Sequence, residues 1–579
     1  MTVYGDGQIA AALRYTPVPE DQPIVAVDSV RDPHTVSALA SAGDRIRAET
    51  GSPRALTVSA DGSLLVFVSG PVASNAPCPR CVLLQLARRR EQATALLEGD
   101  EVPPSDGAVD RVGELTRDVL SEVDTAVPSV SVVDVDGGET VRTTVAISHP
   151  CCDHAPIARW IKGDADRPTT EEVLDRIADP YVGVVRTFDS LEDRGYLADA
   201  LSDYHLVRCQ FSVPAVGTYG RGFEETDLAV GADRRSDRAR TRAVMEGVER
   251  FCALAPRRPD LHDAAAAIEW PHRGPQAFYL YGPDQYARDG FPFDRTGVED
   301  VRRWSLASAY GDSGVVAVPQ EFVTMIARSG VKRALVRTNT SGVAAHVDVD
   351  AAARNAVLEL FERDAISRIW YGGDTLDAFE PSTLPAEITA YRDAVARLGY
   401  DVSVLDATRY EGVPCVVVAS FRDAVPAAVL TAGSGRTYAA AAAGAFRETV
   451  EALALSATLP EGLTPLADSE AVRTSGDHFR FYAAPENRAQ ARTLVGDVKL
   501  PFPTATGPTA PLVDVVADLP VDVYATELTT AGLRRAGCHV VRALSPDLVP
   551  ISFGYGMERL AHPECPVADD APGPVHPFS

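Results

Sequence analysis

Lysine is almost missing from this chain: Lys162, Lys332 and Lys499 are the only ones among 55 basic residues, and arginine supplies the rest. Against them stand 81 acidic residues, for a formal charge of −26 and a pI of about 4.8. So acidic a chain repels a polyanion, which excludes nucleic acid as the main partner. Acidity without lysine is also the pattern of a protein kept soluble in very high salt, where charges are screened within a few ångströms. It implies a halophilic source, a haloarchaeon. No apolar run reaches about 18 residues, so no membrane span is expected. The opening MTVYGDGQIAAAL lacks the basic start and small-residue cleavage site of a secretory signal, which implies a cytoplasmic protein. Nine cysteines in 579 residues do not make a disulfide framework. Cys209, Cys252, Cys415, Cys538 and Cys565 are scattered and read as small buried hydrophobes.

Apolar residues make up 45% and charged residues 23% of the chain, a globular composition long enough for two or three domains. Residues 1–160 read as a small α/β domain. Strand signals fall at Thr2–Tyr4, Ile24–Val27, Ala55–Val58, Leu64–Val68, Val130–Val135 and Val141–Ile147. Ala60-Asp61-Gly62 and Asp136-Gly137-Gly138 read as hairpin turns between them. Gly5-Asp6-Gly7-Gln8-Ile9-Ala10 fits a Gly-rich nucleotide turn, but alone it reads as a tight strand-to-helix turn. The polar stretch 161–172 reads as a linker. Residues 173–565 alternate strands with long amphipathic helices as one large α/β unit, and 566–579 form an extended, proline-rich tail.

Two cysteine clusters share the first domain. Cys78 and Cys81 stand at C-x-x-C spacing, and His149-Pro150-Cys151-Cys152-Asp153-His154 follows later. Two such knuckles suit the closed tetrahedral shell of a structural Zn²⁺. The best ligand set is Cys78, Cys81, Cys151 and His154, with Cys152 competing for the last place.

Carboxylates at helical spacing dominate the larger unit. AVMEGVERF carries Glu246, Glu249 and Arg250, and AVLELFERDA carries Glu359, Glu362 and Arg363. A third helix, Ala439–Ala452, carries Glu448 and Glu451. Spacing i, i+3 puts each pair on one helix face, where two like charges are mildly destabilising. Recurrence of so unfavourable a pattern points to a shared cation, and oxygen ligands suit Mg²⁺ with substrate phosphates. The neighbouring arginines are suited to phosphate oxygens. Val357, Leu358, Leu360 and Phe361 leave the second helix little surface to solvate. Ahead of it, NTSGVAAH offers small residues for close backbone approach to a ligand.

SGVAAH followed by ELFERDA, the upstream ARTRAVMEGVERF, and the later AFRETVEAL resemble, in order and spacing, three ATP-site motifs of the YcaO superfamily. The likeness spans roughly residues 170–579. GDGQIAAAL, SGPVASNAPCPRCVLLQLARRRE and HPCCDHAP resemble the ThiF-like zinc domain of azoline-forming cyclodehydratases, and PGPVHPFS resembles their proline-rich end.

The resemblance implies an α/β enzyme acting with ATP and Mg²⁺ on a ribosomally made precursor peptide. A Cys, Ser or Thr side chain attacks the preceding carbonyl, and phosphorylation turns its oxygen into a leaving group. Glu246, Glu249, Glu359, Glu362 and Glu448 are then expected to hold Mg²⁺, and Arg250 and Arg363 to bind phosphate or fix those glutamates. Ser341 stands where an ATP-binding Asn is frequent. The carboxylate of Ser579 is expected to accept a proton, and His576 either shares that work or is structural, given the prolines beside it. Arg242 replaces a common small hydroxyl residue, Glu451 a frequent Gln and Leu453 a frequent Arg; Ala232 stands where a lysine is expected, which puts one phosphate contact in doubt. The first strand begins at residue 2, which leaves no room for a leader-binding module and implies a separate leader-binding protein. A flavin dehydrogenase and a homodimeric state are further expectations. Thioamide synthesis with a sulfur donor is the alternative chemistry, and a non-catalytic peptide-binding scaffold the alternative class.

If the cysteine clusters form a cage, the pure protein carries about one zinc per chain, and Cys78→Ala lowers both zinc content and stability. Metal analysis checks this; zinc-free protein of full stability would refute it.

Overall fold

The computed structural model describes six strands within residues 1–160 and most of the chain from residue 168 to 578. Outside the described residues in that second stretch are 179–183, 191–196, 198–199, 213–225, 256–259, 262–263, 313, 326–334, 459–463, 505–509, 563–564 and 566–574. The first six strands are β1 (Val3–Tyr4), β2 (Ile24–Val27), β3 (Leu56–Asp61), β4 (Leu64–Ser69), β5 (Ser129–Asp134) and β6 (Thr140–Thr143). They form one sheet in chain order. β1, β2 and β3 run parallel, and β3–β4 and β5–β6 pair antiparallel around the two Asp-Gly turn signals. The Gly5–Ala10 turn lies outside the described residues.

The stretch expected as a linker ends sooner than its composition suggests. Thr169 caps helix α1 (Thr170–Ile177) in a reciprocal box with Glu172, whose carboxylate accepts the Thr169 amide at 2.7 Å. Thr170–Glu172 are therefore helical, and the T-x-x-E pattern outweighs their polarity.

Three further sheets follow. One runs β7 (Val185–Ser190), β8 (His205–Ser212), β9 (Thr226–Asp233). The second takes β10 (Trp304–Ala309), β11 (Val315–Pro319), β12 (Val343–His346), β18 (Tyr524–Glu527) and β19 (His539–Leu544) in the order β11-β10-β18-β19-β12. The third takes β13 (Leu376–Phe379), β14 (Asp401–Asp406), β15 (Cys415–Phe421), β16 (Ala428–Ser434) and β17 (Val495–Leu500) in the order β16-β15-β14-β13-β17. The other described helices of eight or more residues are α2 (Ser236–Leu254), α3 (Val349–Gly372), α4 (Ala386–Ala396), α5 (Tyr438–Thr458) and α6 (Ser475–Ala483). α2, α3 and α5 contain the three carboxylate motifs.

Three strand–helix units, β9–α2, β12–α3 and β16–α5, share one register. Each helix packs on its own strand and on the strand of another unit: α2 on β9 and β12, α3 on β12 and β16, α5 on β16 and β9. The cycle closes. Small residues at matching positions permit the approach. Gly231 faces Ala239 and Ala243, and Gly433 faces Ala441 and Ala445. A Cβ on Gly231 would lie 2.3 Å from the Ala239 oxygen, and one on Gly433 2.3 Å from the Ala441 oxygen. The middle unit carries Ala344 at that register, with Ala352 and Ala356 across from it in sequence.

Helix α3 sits deepest. Val357, Phe361, Ile366 and Trp370 are all buried, which is how a helix apolar around most of its circumference behaves. Its Asp364 is fully buried and accepts from Arg368 Nε at 2.7 Å, the Tyr410 hydroxyl at 2.7 Å and the Val549 amide at 2.6 Å. Such charge-assisted bonds fix α3 against the segment after β19. The end of the chain is docked too. Val575 and Phe578 are buried in the cluster that holds Trp370 and Tyr482, and Phe578 bridges to Leu430 of β16. Cys209, Cys252, Cys415 and Cys538 are buried as expected, and Cys565 is half-buried. Among the described residues no helix is long and apolar enough to cross a membrane.

Gly231→Ala and Gly433→Ala are each expected to cost about 1–3 kcal/mol through forced separation of helix and strand. Ala344→Gly should cost only about 0.5–1 kcal/mol of backbone entropy. Chemical denaturation of the three variants checks the difference.

Candidate active site

Each second glutamate of the three units is served by the strand end of another unit. The Ala345 amide (β12) donates to Glu249 Oε1 at 2.8 Å, and the Ala232 amide (β9) donates to Glu451 Oε1 at 2.8 Å. Ser434, at the end of β16, faces Glu362 and lowers its pKa, while its hydroxyl donates to the Leu358 carbonyl at 2.8 Å. In sequence, Ala232, Ala345 and Ser434 each stand 17 residues before the second glutamate of their own unit. The recurrence was there to be read, but it lies in backbone amides of small residues, which no side-chain motif displays.

The six carboxylates thereby form a ring. Burial and the field of Glu246, with a smaller push from Glu359, hold Glu249 well above the usual carboxylate range. Burial, opposed by Arg363 and helped by Glu362 and Glu246, pushes Glu359 up to about 7. Glu362 is raised by burial, against the pull of Arg363 and Ser434. Burial and Glu362 raise Glu448 well above its ordinary value, with Glu451 and Glu359 adding to the push. Burial, with Glu246 contributing, pushes Glu451 up to about 7. Glu249, Glu359 and Glu448 thus each feel the partner on their own helix and a glutamate of another.

Arginines are set unevenly around this ring. Arg250 Nε donates to Glu246 Oε1 at 2.8 Å, and its NH1 donates to the Leu228 carbonyl at 2.9 Å. Arg363 lies 3.4 Å from Glu359 and 3.5 Å from Glu362, and it also feels Glu448. Two arginines were not singled out by the sequence reading as parts of the site, except as a departure in one case. Arg542 of β19 is buried, its pKa lowered to about 10 by burial against the pull of Glu359, and its Nε has no hydrogen-bond partner. Its signal was a single arginine in the apolar strand HVVRAL, since a charge is buried in such a strand only for a partner. Arg242 lies 3.3 Å from Asp233, in the fields of Arg447 and Glu451.

Ser341 sits in the turn that opens the second unit. Its amide donates to Asn339 Oδ1 at 3.1 Å, and Asn339 also donates to the Ile551 carbonyl and accepts from Arg542. Gly342 follows at φ +76°, where a Cβ would lie 2.8 Å from the Ala543 oxygen. His576 is buried, with Nε2 2.9 Å from the Ser552 carbonyl. Burial and its neighbour His478 hold its pKa well below the ordinary value, and Arg363 contributes to the same shift. Ser579 and the zinc candidates Cys78, Cys81, Cys151 and His154 lie outside the described residues.

The donor set fits Mg²⁺. Six carboxylates outnumber the arginines paired with them, and Oε1 of the 6% exposed Glu362 accepts no hydrogen bond. Hard oxygen donors carrying surplus negative charge suit that ion. Among the described residues no three acidic, histidine or cysteine side chains form a metal cage by themselves. Mg²⁺ usually keeps waters and takes substrate phosphates as its remaining ligands, and Glu359 keeps 27% of its side chain exposed.

A family model described as YcaO cyclodehydratase, ATP- and Mg²⁺-binding, matches residues 230–549. No curated protein sequence matches the chain. Among solved structures, it is similar in fold to a heterocyclase in complex with substrate and cofactor. That match has 17% identity and a TM-score of 0.67, covering 97% of this chain and 81% of the other. It is also similar to the heterocyclase TruD, at 16% identity and a TM-score of 0.58, covering 94% of this chain and 78% of that one.

Raised carboxylates bind protons more tightly folded than unfolded. The folded state therefore holds extra protons between the ordinary value of 4.5 and about 7, and stability falls as pH climbs through that window. The Tm of metal-free protein should drop between about pH 5 and about pH 8. Mg²⁺ with ATP should restore more of it at the higher pH. A Tm indifferent to both would contradict the shared cation site.

Proposed function

Because the chain belongs to the YcaO cyclodehydratase family, we propose that its carboxylate ring seats the Mg²⁺–triphosphate of ATP for azoline formation in a ribosomally made peptide. The surplus of buried and half-buried carboxylates over the arginines paired with them is the observation that carries this reading. In the reaction a Cys, Ser or Thr side chain adds to the preceding carbonyl carbon, and the carbonyl oxygen takes the γ-phosphoryl group, releasing ADP. The amide nitrogen then forms a C=N bond as phosphate leaves, and one proton is lost from the attacking group and one from the nitrogen. Relative to the peptide, one water has gone.

Mg²⁺ supplies neutralisation of the phosphate charge. Glu246, Glu249, Glu359, Glu362 and Glu448 hold the ion or its waters, and Glu451 completes their ring. Arg250 holds Glu246 in place, while Arg363 and Arg542 take phosphate oxygens. Arg542 suits that role because its buried guanidinium has an Nε free of protein partners. No covalent nucleophile is needed, since positioning and charge stabilisation carry phosphoryl transfer. Residues 173–565 together with helix α1 form the catalytic domain in this reading. Residues 1–160 form the zinc-bearing ThiF-like domain through Cys78, Cys81, Cys151 and His154. The tail 566–579 brings the Ser579 carboxylate to the site as a proton acceptor. The precursor peptide, a separate leader-binding protein, a flavin dehydrogenase and a second copy of the chain are the partners it implies.

Glu359→Gln and Glu249→Gln are each expected to lower ATP turnover by at least about 100-fold, on the scale of losing one charge-stabilising group, while leaving the fold intact. Product mass separates the chemistries: azoline formation removes one water, and thioamide formation exchanges an oxygen for a sulfur. Wild-type turnover in both variants would refute the site, and absence of any ATPase in wild type with peptide would favour a scaffold.

A further inference from the structure

The docked end of the chain is tied down by one histidine that the ATP site does not use. His478 lies on α6 and has no exposed surface. Its Nδ1 is 2.7 Å from the His576 carbonyl oxygen, and its Nε2 is 3.0 Å from the Gly554 amide nitrogen. A carbonyl only accepts and an amide N–H only donates. Nδ1 must therefore carry the proton and Nε2 must be bare: a neutral ring of one tautomer.

The ring thus bridges the tail 575–578 and the loop 551–556. Around it the tail is tied twice more. His576 Nε2 lies 2.9 Å from the Ser552 carbonyl, and Tyr482, also on α6, donates to the Val575 carbonyl at 2.5 Å. The loop in turn reaches the ATP site, because Asn339 donates to the Ile551 carbonyl while its own carbonyl accepts from Arg542.

We propose that His478 is a positioning residue for the reaction: as a neutral imidazole it latches residues 575–578 to the 551–556 loop, and it lets them go when protonated. The consequence for catalysis rests on the reading that the tail acts at the ATP site; the latch itself does not. Protonation would put a hydrogen on Nε2 facing the Gly554 N–H, turning a bond into a repulsion. The groups facing the ring are Asp477 on its own helix, which favours the charge, Arg337, which opposes it, and His576 of the tail. Behind His576 stand Arg363 and the ring of Tyr371. Burial dominates and lowers His478 to about 4, from an ordinary 6.5. The docked ring stays neutral in that interval while a released ring takes up a proton. Docking is therefore complete above 6.5 and weakens about tenfold per pH unit below it, down to about 4.

The test is amide hydrogen exchange over 552–556 and 575–578, corrected for intrinsic rates, with steady-state kinetics in parallel. Wild type is compared with His478→Phe, His478→Gln and deletion of Pro577–Ser579. His478→Phe should lose protection in both segments by at least about tenfold, the worth of one buried hydrogen bond. Its kcat should fall as in the deletion, with KM for ATP unchanged. His478→Gln, which keeps one donor and one acceptor, should regain protection and lose its dependence on acid. Unchanged protection in His478→Phe, or in His478→Gln the same acid dependence as wild type, overturns the latch. If His478→Phe unfolds, seen as lost protection in α2 as well, the pH profile of His478→Gln decides alone. If protection is lost but neither His478→Phe nor the deletion lowers kcat, the latch stands and the catalytic reading of the tail falls.

Discussion

Six glutamates crowded into one partly buried ring set the terms for everything packed around them. Taking like charges out of water together is costly unless something else compensates. The protein itself compensates only in part. Backbone amides of Ala232 and Ala345 and the face of Ser434 hold three carboxylates in place, and Arg250 and Arg363 pair with others. Protons answer part of the remainder, and in the proposed function Mg²⁺ answers the rest.

That constraint explains the architecture of the units. To bring three helices and three strand ends to one ring, each helix must touch two strands, and Gly231, Gly433 and the facing alanines make the approach short enough. The carboxylate frame repeats three times, but the arginines do not. The first two units follow the second glutamate with Arg250 and Arg363, and the third has Ala452 there. Arg242 belongs to the first unit, with Asn355 and Gly444 at the matching positions. A symmetric frame suits cations, and an uneven set of guanidiniums suits a ligand that runs in one direction, as a triphosphate does.

The ring is also linked outward. Asp364, two residues past Glu362, anchors α3 to the segment after β19, and that segment leads to the loop on which the tail rests. Helix α6 carries His478 and Tyr482 to the tail from the other side. Phe578 closes the arrangement against Leu430 of β16, the strand whose end faces Glu362. The order of the chain's last residues and the order of the ring therefore depend on shared neighbours.

The sequence by itself determined what is local or periodic. The E-x-x-E spacing placed each carboxylate pair on one helix face, and apolar runs placed the six strands of residues 1–160. A capping box at Thr169 was equally local, though the polar composition around it pointed to a linker instead. Tertiary structure alone decided which groups meet. Ala232 and Glu451 are 219 residues apart, and Ala345 and Glu249 are 96 apart. Their bonds use a backbone amide, which every residue owns and no residue type advertises. Arg542 and His478 likewise look like ordinary members of a strand and a helix until the segments that surround them are in place. Periodicity reports which way a side chain points from its own element; only the crossing of elements sets what it finds there.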